Sequence, residues 1–148
     1  MRSTSLDLEV EERFRFYELD AREREKIVDE LREELEKRRE ILLAVVYGSL
    51  LRGEPFRDVD VAVYVNIEVD ILDYKFRLER KLSERVGCLV EVKVLNEAPP
   101  RLVLKILESG EILVDHLGKA EKLYKKALDE NCFTASADAT RRTPLSRD

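Results

Sequence analysis

The sequence predicts an α/β (α+β) fold in which helices pack on a small mixed β-sheet. Short Val- and Ile-rich runs, typical of buried strands, alternate with longer segments whose apolar residues recur every three or four positions, as on one face of a helix. The chain has 148 residues, of which 44% are hydrophobic. That length is enough for one domain with a core and too short for two large domains.

The first helix is expected at about residues 20–40. Asp20 is followed three residues later by Glu23, which is the spacing of a capping box at a helix start. A short strand is expected just before it, at about 13–18, where Phe and Arg alternate. The helix carries one narrow apolar stripe, formed by Ile27, Val28, Leu31 and Leu35.

The rest of the chain is predicted to contain four strands and three further helices. The strands are expected at about 42–47, 58–65, 88–95 and 111–115. The helices are expected at about 69–86, 100–109 and 118–130. Gly87 and Gly110 follow the first two of these helices, and Pro99 and Pro100 open the second, as is usual at helix ends and starts.

These elements are interpreted as one domain over residues 1–133, followed by a tail. Within the domain, an N-terminal extension and helix occupy about 6–40, the core about 41–115 and the last helix about 118–130. The tail, 134–148, has no hydrophobic periodicity and is rich in Ser, Thr, Ala and Arg, so we expect it to be disordered.

Composition argues against several classes of function. The formal net charge of −5 disfavours broad, sequence-independent nucleic-acid binding, which needs a basic surface. Two cysteines and the single His116 nearly exclude a Cys/His zinc site. No apolar run approaches the roughly 20 residues of a membrane span, and no signal peptide is visible, so a cytoplasmic protein is expected. The charged fraction of 40%, with no Trp, is typical of heat-adapted proteins and predicts a thermophilic source.

Two carboxylates mark the start of the second predicted strand. Asp58 and Asp60 lie two residues apart, so they point to the same face of the strand, whereas Val59 and Val61 point to the other. Gly48-Ser49, at the end of the preceding strand, forms a turn suited to holding phosphates. An isolated Asp-x-Asp is usually a solvated edge or turn, and a lone Gly-Ser is common. Together, in this order, they predict a divalent-metal site beside a phosphate site.

A third acid, Glu91, stands inside the otherwise apolar strand 88–95. A carboxylate in a central strand is costly unless it is exposed, paired or bound to a metal. Glu91 could pair with Lys93, or, if its strand lies beside strand 58–65, it could join Asp58 and Asp60. A cluster of oxygen ligands without histidine favours Mg²⁺ or Mn²⁺ over zinc.

The order of these segments resembles the signature of the DNA polymerase β-like nucleotidyltransferases. The similarity runs from the Gly-Ser segment 48–53, through the Asp-x-Asp segment 57–63, to the third-acid segment 90–99. Within that superfamily the size of the chain, the third-acid segment and the segment 106–113 are similar to the minimal nucleotidyltransferases (MNT). The resemblance covers roughly 40–115.

The resemblance implies a two-metal mechanism of nucleotidyl transfer. Asp58 and Asp60 would coordinate two Mg²⁺ ions, and Glu91 would complete the second metal site and help to deprotonate the acceptor hydroxyl. Gly48 and Ser49 would hold the β- and γ-phosphates of the donor nucleotide, expected to be ATP. Arg52 would assist the phosphates or, equally well, stabilise the turn.

Two positions depart from the family pattern. Arg57 occupies a place where the family commonly has Ser, after a shorter loop, and Glu91 stands where Asp is usual. Neither removes a required ligand type, so both are expected to affect rate and metal preference. Lys93 could neutralise Glu91 or contact substrate, of which neutralisation is favoured, and Gly53 is expected to permit a tight turn rather than to contact ligand.

The resemblance also implies a partner. Minimal nucleotidyltransferases act as antitoxins of helical HEPN-type RNase toxins, which they silence by adenylylating a tyrosine. A small antibiotic acceptor is a weaker alternative, and a nucleic-acid-binding role is the weakest. The main alternative is a weak or inactive module that acts through protein–protein contacts. Homo-oligomer formation stays open.

Overall fold

A computed structural model describes residues 19–66, 68 and 70–142, with only the backbone described from 132 onward. The strand predicted at 13–18 lies outside these residues. The described helices are α1 (Ala21–Glu36), α2 (Ser49–Arg52), α3 (Ile71–Val86), α4 (Pro100–Ser109) and α5 (Lys119–Arg142). The strands are β1 (Ile41–Tyr47), β2 (Val59–Val65), β3 (Val90–Val94) and β4 (Glu111–Asp115), and a 3₁₀ turn spans Leu95–Glu97.

The four strands form one mixed sheet in the order β3-β2-β1-β4. Strand β1 is antiparallel to both β2 and β4, and β2 is parallel to β3. The parallel pair requires a long crossover, because β3 must start at the same end of the sheet as β2, and α3 provides it. The mixed sheet with packed helices confirms the predicted fold class.

Helices cover both faces of the sheet and create two cores. Alternate residues of β2, such as Val61 and Val63, point into the first core, which contains the predicted apolar stripe of α1 and part of α3. The intervening Ala62 points into the second core, with Val103 of α4 and Leu123 of α5. Odd positions of β2 therefore face α1 and α3, and even positions, including Asp60, face the side of α4 and α5.

The start of α1 is as predicted, but its end is earlier. The Asp20 side chain accepts a hydrogen bond from the Glu23 amide, and the Glu23 side chain accepts one from the Asp20 amide, which completes the capping box. The helix ends at Glu36 and not near 40. The chain turns there because the Ile41 amide donates to the Arg38 carbonyl, which leads directly into β1.

Helix α5 is longer than predicted. It continues past 130 to Arg142, into the segment for which the sequence predicts a disordered tail. Three alanines in this stretch (Ala135, Ala137 and Ala139) favour helix, and Pro144 is the first residue after Gly118 that would break one. Residues 143–148 lie outside the described chain. Within the described part, no helix is both long enough and apolar enough to span a membrane.

Candidate active site

The sheet places two of the three predicted acids side by side. Asp60 of β2 and Glu91 of β3 are direct partners in the parallel register. Tyr47, the last residue of β1, is the partner of Asp60 on its other side. These three residues therefore form a row across the sheet, on the face of α4 and α5.

Asp58 lies immediately before β2, since the strand begins at Val59 and not at Asp58 as predicted. The Val59 amide donates to the Leu89 carbonyl at 2.8 Å, which brings the start of β2 beside the start of β3. Asp58 and Asp60 are partly buried, and Glu91 is exposed. The exposed position explains how an acid is tolerated within an apolar strand.

The charges of Glu91 and Asp58 act on Asp60. The pKa of Asp60 is raised from 3.8 to about 6, first by burial and then by the negative charges of Glu91 and Asp58. Lys93 and Arg52 oppose this increase. Asp60 thus lies in a negative environment that its own cationic neighbours do not fully neutralise, and a bound cation would relieve it.

The Gly-Ser turn lies directly against Asp60. Gly48 has φ +89° and ψ −155°, a conformation essentially restricted to glycine. A Cβ atom at Gly48 would lie 2.5 Å from the Asp60 Oδ2 atom, so no side chain fits between the turn and the carboxylate. Glycine is needed here for both reasons, conformation and space.

Ser49 and Arg52 lie on α2, which follows Gly48. The Arg52 guanidinium donates to the Ser49 Oγ at 3.2 Å and to Glu54 at 3.0 Å. Arg52 therefore braces the turn, which is one of the two roles expected for this residue, and its charge also reaches Asp60. Gly53 ends α2 with φ +75°, as expected of a glycine in a tight turn.

Tyr47 is the member of the row that was not predicted from the sequence. Its pKa is raised to about 12 by burial and by the charges of Asp60 and Glu91. The sequence feature that could have pointed to Tyr47 is its position next to Gly48, at the end of a buried strand. Its side of the sheet depends on strand pairing, which the apolar run 42–47 does not reveal.

The donor set of the site fits a hard divalent cation. All three acids supply oxygen, their negative charges repel one another, and no histidine or cysteine is near Asp58 or Asp60 in sequence. Among the described residues, no three His, Cys, Asp or Glu side chains are close enough together to form a ready-made metal cluster. The fit therefore rests on the donor chemistry and the strand register.

The family model for polymerase β nucleotidyltransferases matches residues 29–117. The chain belongs to this family. The match includes the second half of α1, the whole sheet and every predicted site residue, so it confirms the family resemblance expected from the sequence.

Solved structures of MNT proteins have the same fold. The chain is similar to the crystal structure of the toxin–antitoxin MntA–HepT, with 19% identity, a TM-score of 0.57, and coverage of 86% of this chain and 100% of the other. It is similar to a complex of a tri-AMPylated HEPN toxin from Shewanella oneidensis with an MNT antitoxin, at 20% identity and TM-score 0.57, covering 84% and 97%.

A toxin–antitoxin structure with AMP-PNP matches at 21% identity and TM-score 0.60, covering 83% of this chain and 98% of the other. At these identities the similarity establishes the fold. No curated protein sequence matches this chain significantly.

Proposed function

We propose that this protein is an Mg²⁺-dependent nucleotidyltransferase that transfers AMP from ATP to a hydroxyl group. The observation that supports this most directly is the parallel register of Asp60 and Glu91, with Asp58 just before β2 and Gly48 against Asp60. Three acids beside a turn that has no side chain at Gly48 would bring a cation and a triphosphate together.

Each predicted site residue has a defined part in this proposal. Asp58, Asp60 and Glu91 would hold two Mg²⁺ ions. When bound, the ions would neutralise the phosphate oxygens and lower the pKa of the attacking hydroxyl. The exposed Glu91 carboxylate would also help to accept the hydroxyl proton.

The turn between β1 and β2 would bind the triphosphate. Backbone approach is unhindered at Gly48 because it has no side chain, and the Ser49 hydroxyl can donate to a phosphate oxygen. Arg52 already contacts the Ser49 Oγ, so a phosphate bound there would also meet its guanidinium charge. Lys93, which lowers the pKa of Asp60, would offset the charge of the acidic cluster.

The acceptor that we propose is a tyrosine hydroxyl of a HEPN-type toxin, with this protein as its antitoxin. The three structures with the same fold that are described above are toxin–antitoxin complexes, and one of them contains a tri-AMPylated HEPN toxin. This chain covers nearly all of the MNT chains that it matches.

The test is transfer of labelled AMP from ATP to a protein co-purified from native cells. The wild type with Mg²⁺ is expected to label its partner. The double variant Asp58→Ala, Asp60→Ala is expected to lose labelling by at least about 10³-fold, because it removes two of the three acids that hold the metal ions.

A matched control removes the same charge elsewhere. Asp73→Ala with Asp129→Ala deletes two exposed carboxylates, on α3 and α5, and is expected to label normally. If calorimetry detects no binding of Mg²⁺–ATP to the wild type, the enzyme proposal fails. The alternative, a module that acts through protein–protein contacts, would then take its place.

A further inference from the structure

Strand β3, which carries Glu91, is an edge strand, and side chains accept hydrogen bonds from the backbone amides on its outer side. It pairs with β2 on one side only, and edge strands generally present free N–H groups on the other side. Here the Val90 amide donates to the Ser83 Oγ and the Val92 amide to the Glu79 Oε2, each at 2.9 Å. Both acceptors belong to α3.

The spacing of these contacts fixes the register of α3 against β3. Glu79 and Ser83 are four residues apart on a helix, a rise of about 6 Å. Val90 and Val92 are two residues apart on a strand, a rise of about 6.6 Å. The two distances match, so both hydrogen bonds form together, and a slip of the strand would break both.

Glu79 also forms an ion pair within α3. Lys75 lies one turn earlier on α3, and its Nζ atom is 2.6 Å from the same Oε2 atom that accepts from Val92. The side chains of Glu79 and Lys75 are 21% and 29% exposed, so the pair is largely shielded from water. The same oxygen therefore accepts from both Val92 and Lys75, and the ion pair can be removed at Lys75 while that oxygen stays.

The two held amides are the immediate neighbours of Glu91. We propose that Glu79 and Ser83 are positioning residues: by holding Val90 and Val92, they keep the Glu91 carboxylate opposite Asp60. This inference rests on the proposed function for its consequence, the binding of Mg²⁺ and transfer of the nucleotide. The hydrogen bonds themselves do not depend on that function.

The experiment compares four variants of the full chain. Glu79→Leu and Ser83→Ala each remove one acceptor. Glu79→Gln keeps an oxygen acceptor for the Val92 amide but loses the charge. Lys75→Met removes the ion pair and leaves the acceptor, so it is the matched control.

Amide hydrogen exchange provides the first readout. Glu79→Leu is expected to speed exchange of the Val92 amide about tenfold, and Ser83→Ala is expected to speed exchange of the Val90 amide by a similar factor. Glu79→Gln and Lys75→Met are expected to leave both exchange rates near those of the wild type. Unchanged exchange in Glu79→Leu and Ser83→Ala would overturn the proposal.

Mg²⁺ affinity and transfer rate provide the second readout. A residue that orients a metal ligand typically affects metal affinity or activity by about 10- to 100-fold, so Glu79→Leu is expected to lose at least about tenfold in Mg²⁺ affinity and in kcat. The KM for the acceptor should not change, and Glu79→Gln should restore most of the loss.

The outcomes separate positioning from stability and from the proposed function. A lower Tm in Glu79→Leu, with unchanged Mg²⁺ affinity and kcat below that Tm, would make Glu79 structural and overturn the proposal. Equal losses in Glu79→Gln and Glu79→Leu would also overturn it, since charge and not the hydrogen bond would then matter. If the wild type binds no Mg²⁺ while the exchange rates change as expected, the proposed function fails. The conclusion that Glu79 and Ser83 fix the Val90 and Val92 amides of β3 is then still supported.

Discussion

Gly48 shows how one residue links the fold to the candidate site. Its positive φ favours glycine, and a Cβ atom at this position would approach the Asp60 carboxylate to 2.5 Å. The first property concerns the backbone of the turn, whereas the second concerns a proposed metal ligand. Stability and function therefore depend on Gly48 for two different reasons.

Replacing Gly48 by alanine separates these two effects when compared with Gly87→Ala. Gly87 has φ +82° with nothing within 4 Å of its Cβ position, so alanine there costs about 1 kcal/mol of stability from the backbone alone. Gly48→Ala is expected to lose more stability and at least about tenfold in Mg²⁺–ATP affinity. Calorimetry below both melting temperatures measures this, and equal affinity in the two variants would contradict the role given to Gly48.

Among the elements, the pairing of β2 with β3 determines whether the acids meet. At the end away from the site, Asn96 of the 3₁₀ turn extends this pairing with its side chain. Its amide nitrogen donates to the Val65 carbonyl at 2.8 Å, and its Oδ1 accepts from the Val65 amide at 3.0 Å. The side chain thus imitates one more residue of the strand ladder.

Asn96→Ala is expected to destabilise the protein by about 2 kcal/mol, because both polar backbone groups of the buried Val65 lose their partner. Asn96→Asp should be similarly destabilised, since a carboxylate does not donate to the Val65 carbonyl. Asn66→Ala serves as the control: Asn66 is exposed, and its side chain accepts from the Glu68 amide. Urea unfolding gives the comparison, and equal losses for Asn96→Ala and Asn66→Ala would refute this account.

For the whole molecule, the three acids Asp58, Asp60 and Glu91 make the free energy of unfolding depend on pH. The folded-state pKa of Asp60, about 6, lies above its ordinary 3.8, because burial, Glu91 and Asp58 outweigh Lys93 and Arg52. Between these two values the folded state binds more protons than the unfolded state. The contribution of Asp60 to stability is therefore present at low pH and is lost as pH rises through about 6.

Asp60→Asn is accordingly expected to stabilise the metal-free protein at about pH 7.5. We expect about 1 kcal/mol, a value reduced for solvent screening because the side chain is only partly buried. The gain should disappear at about pH 4, where most of the wild-type carboxyl is protonated. Urea unfolding in EDTA at both pH values provides the measurement, and a variant less stable than wild type at the higher pH would contradict the sign.

Much of the architecture followed from local patterns along the chain. Val- and Ile-rich runs predicted the four strands to within about two residues at their ends, and Asp20 with Glu23 marked the start of α1. The sequence patterns did not predict that α5 extends beyond residue 130. Alanine favours helix even in a segment without an apolar stripe, so the absence of a stripe did not mean the absence of a helix. The order Gly-Ser, Asp-x-Asp, third acid was sufficient to recognise the family that the match over 29–117 confirms.

The sequence by itself predicted the four strands, the starts of the longer helices and the kind of chemistry that the carboxylates of Asp58 and Asp60 suggest. These depend on strand alternation and residue type, which are local. Only the tertiary structure decided that Glu91 stands opposite Asp60, that Tyr47 joins the row, and that Glu79 and Ser83 hold β3. Those relations join residues far apart in the chain through strand order and helix packing, and no local pattern encodes them.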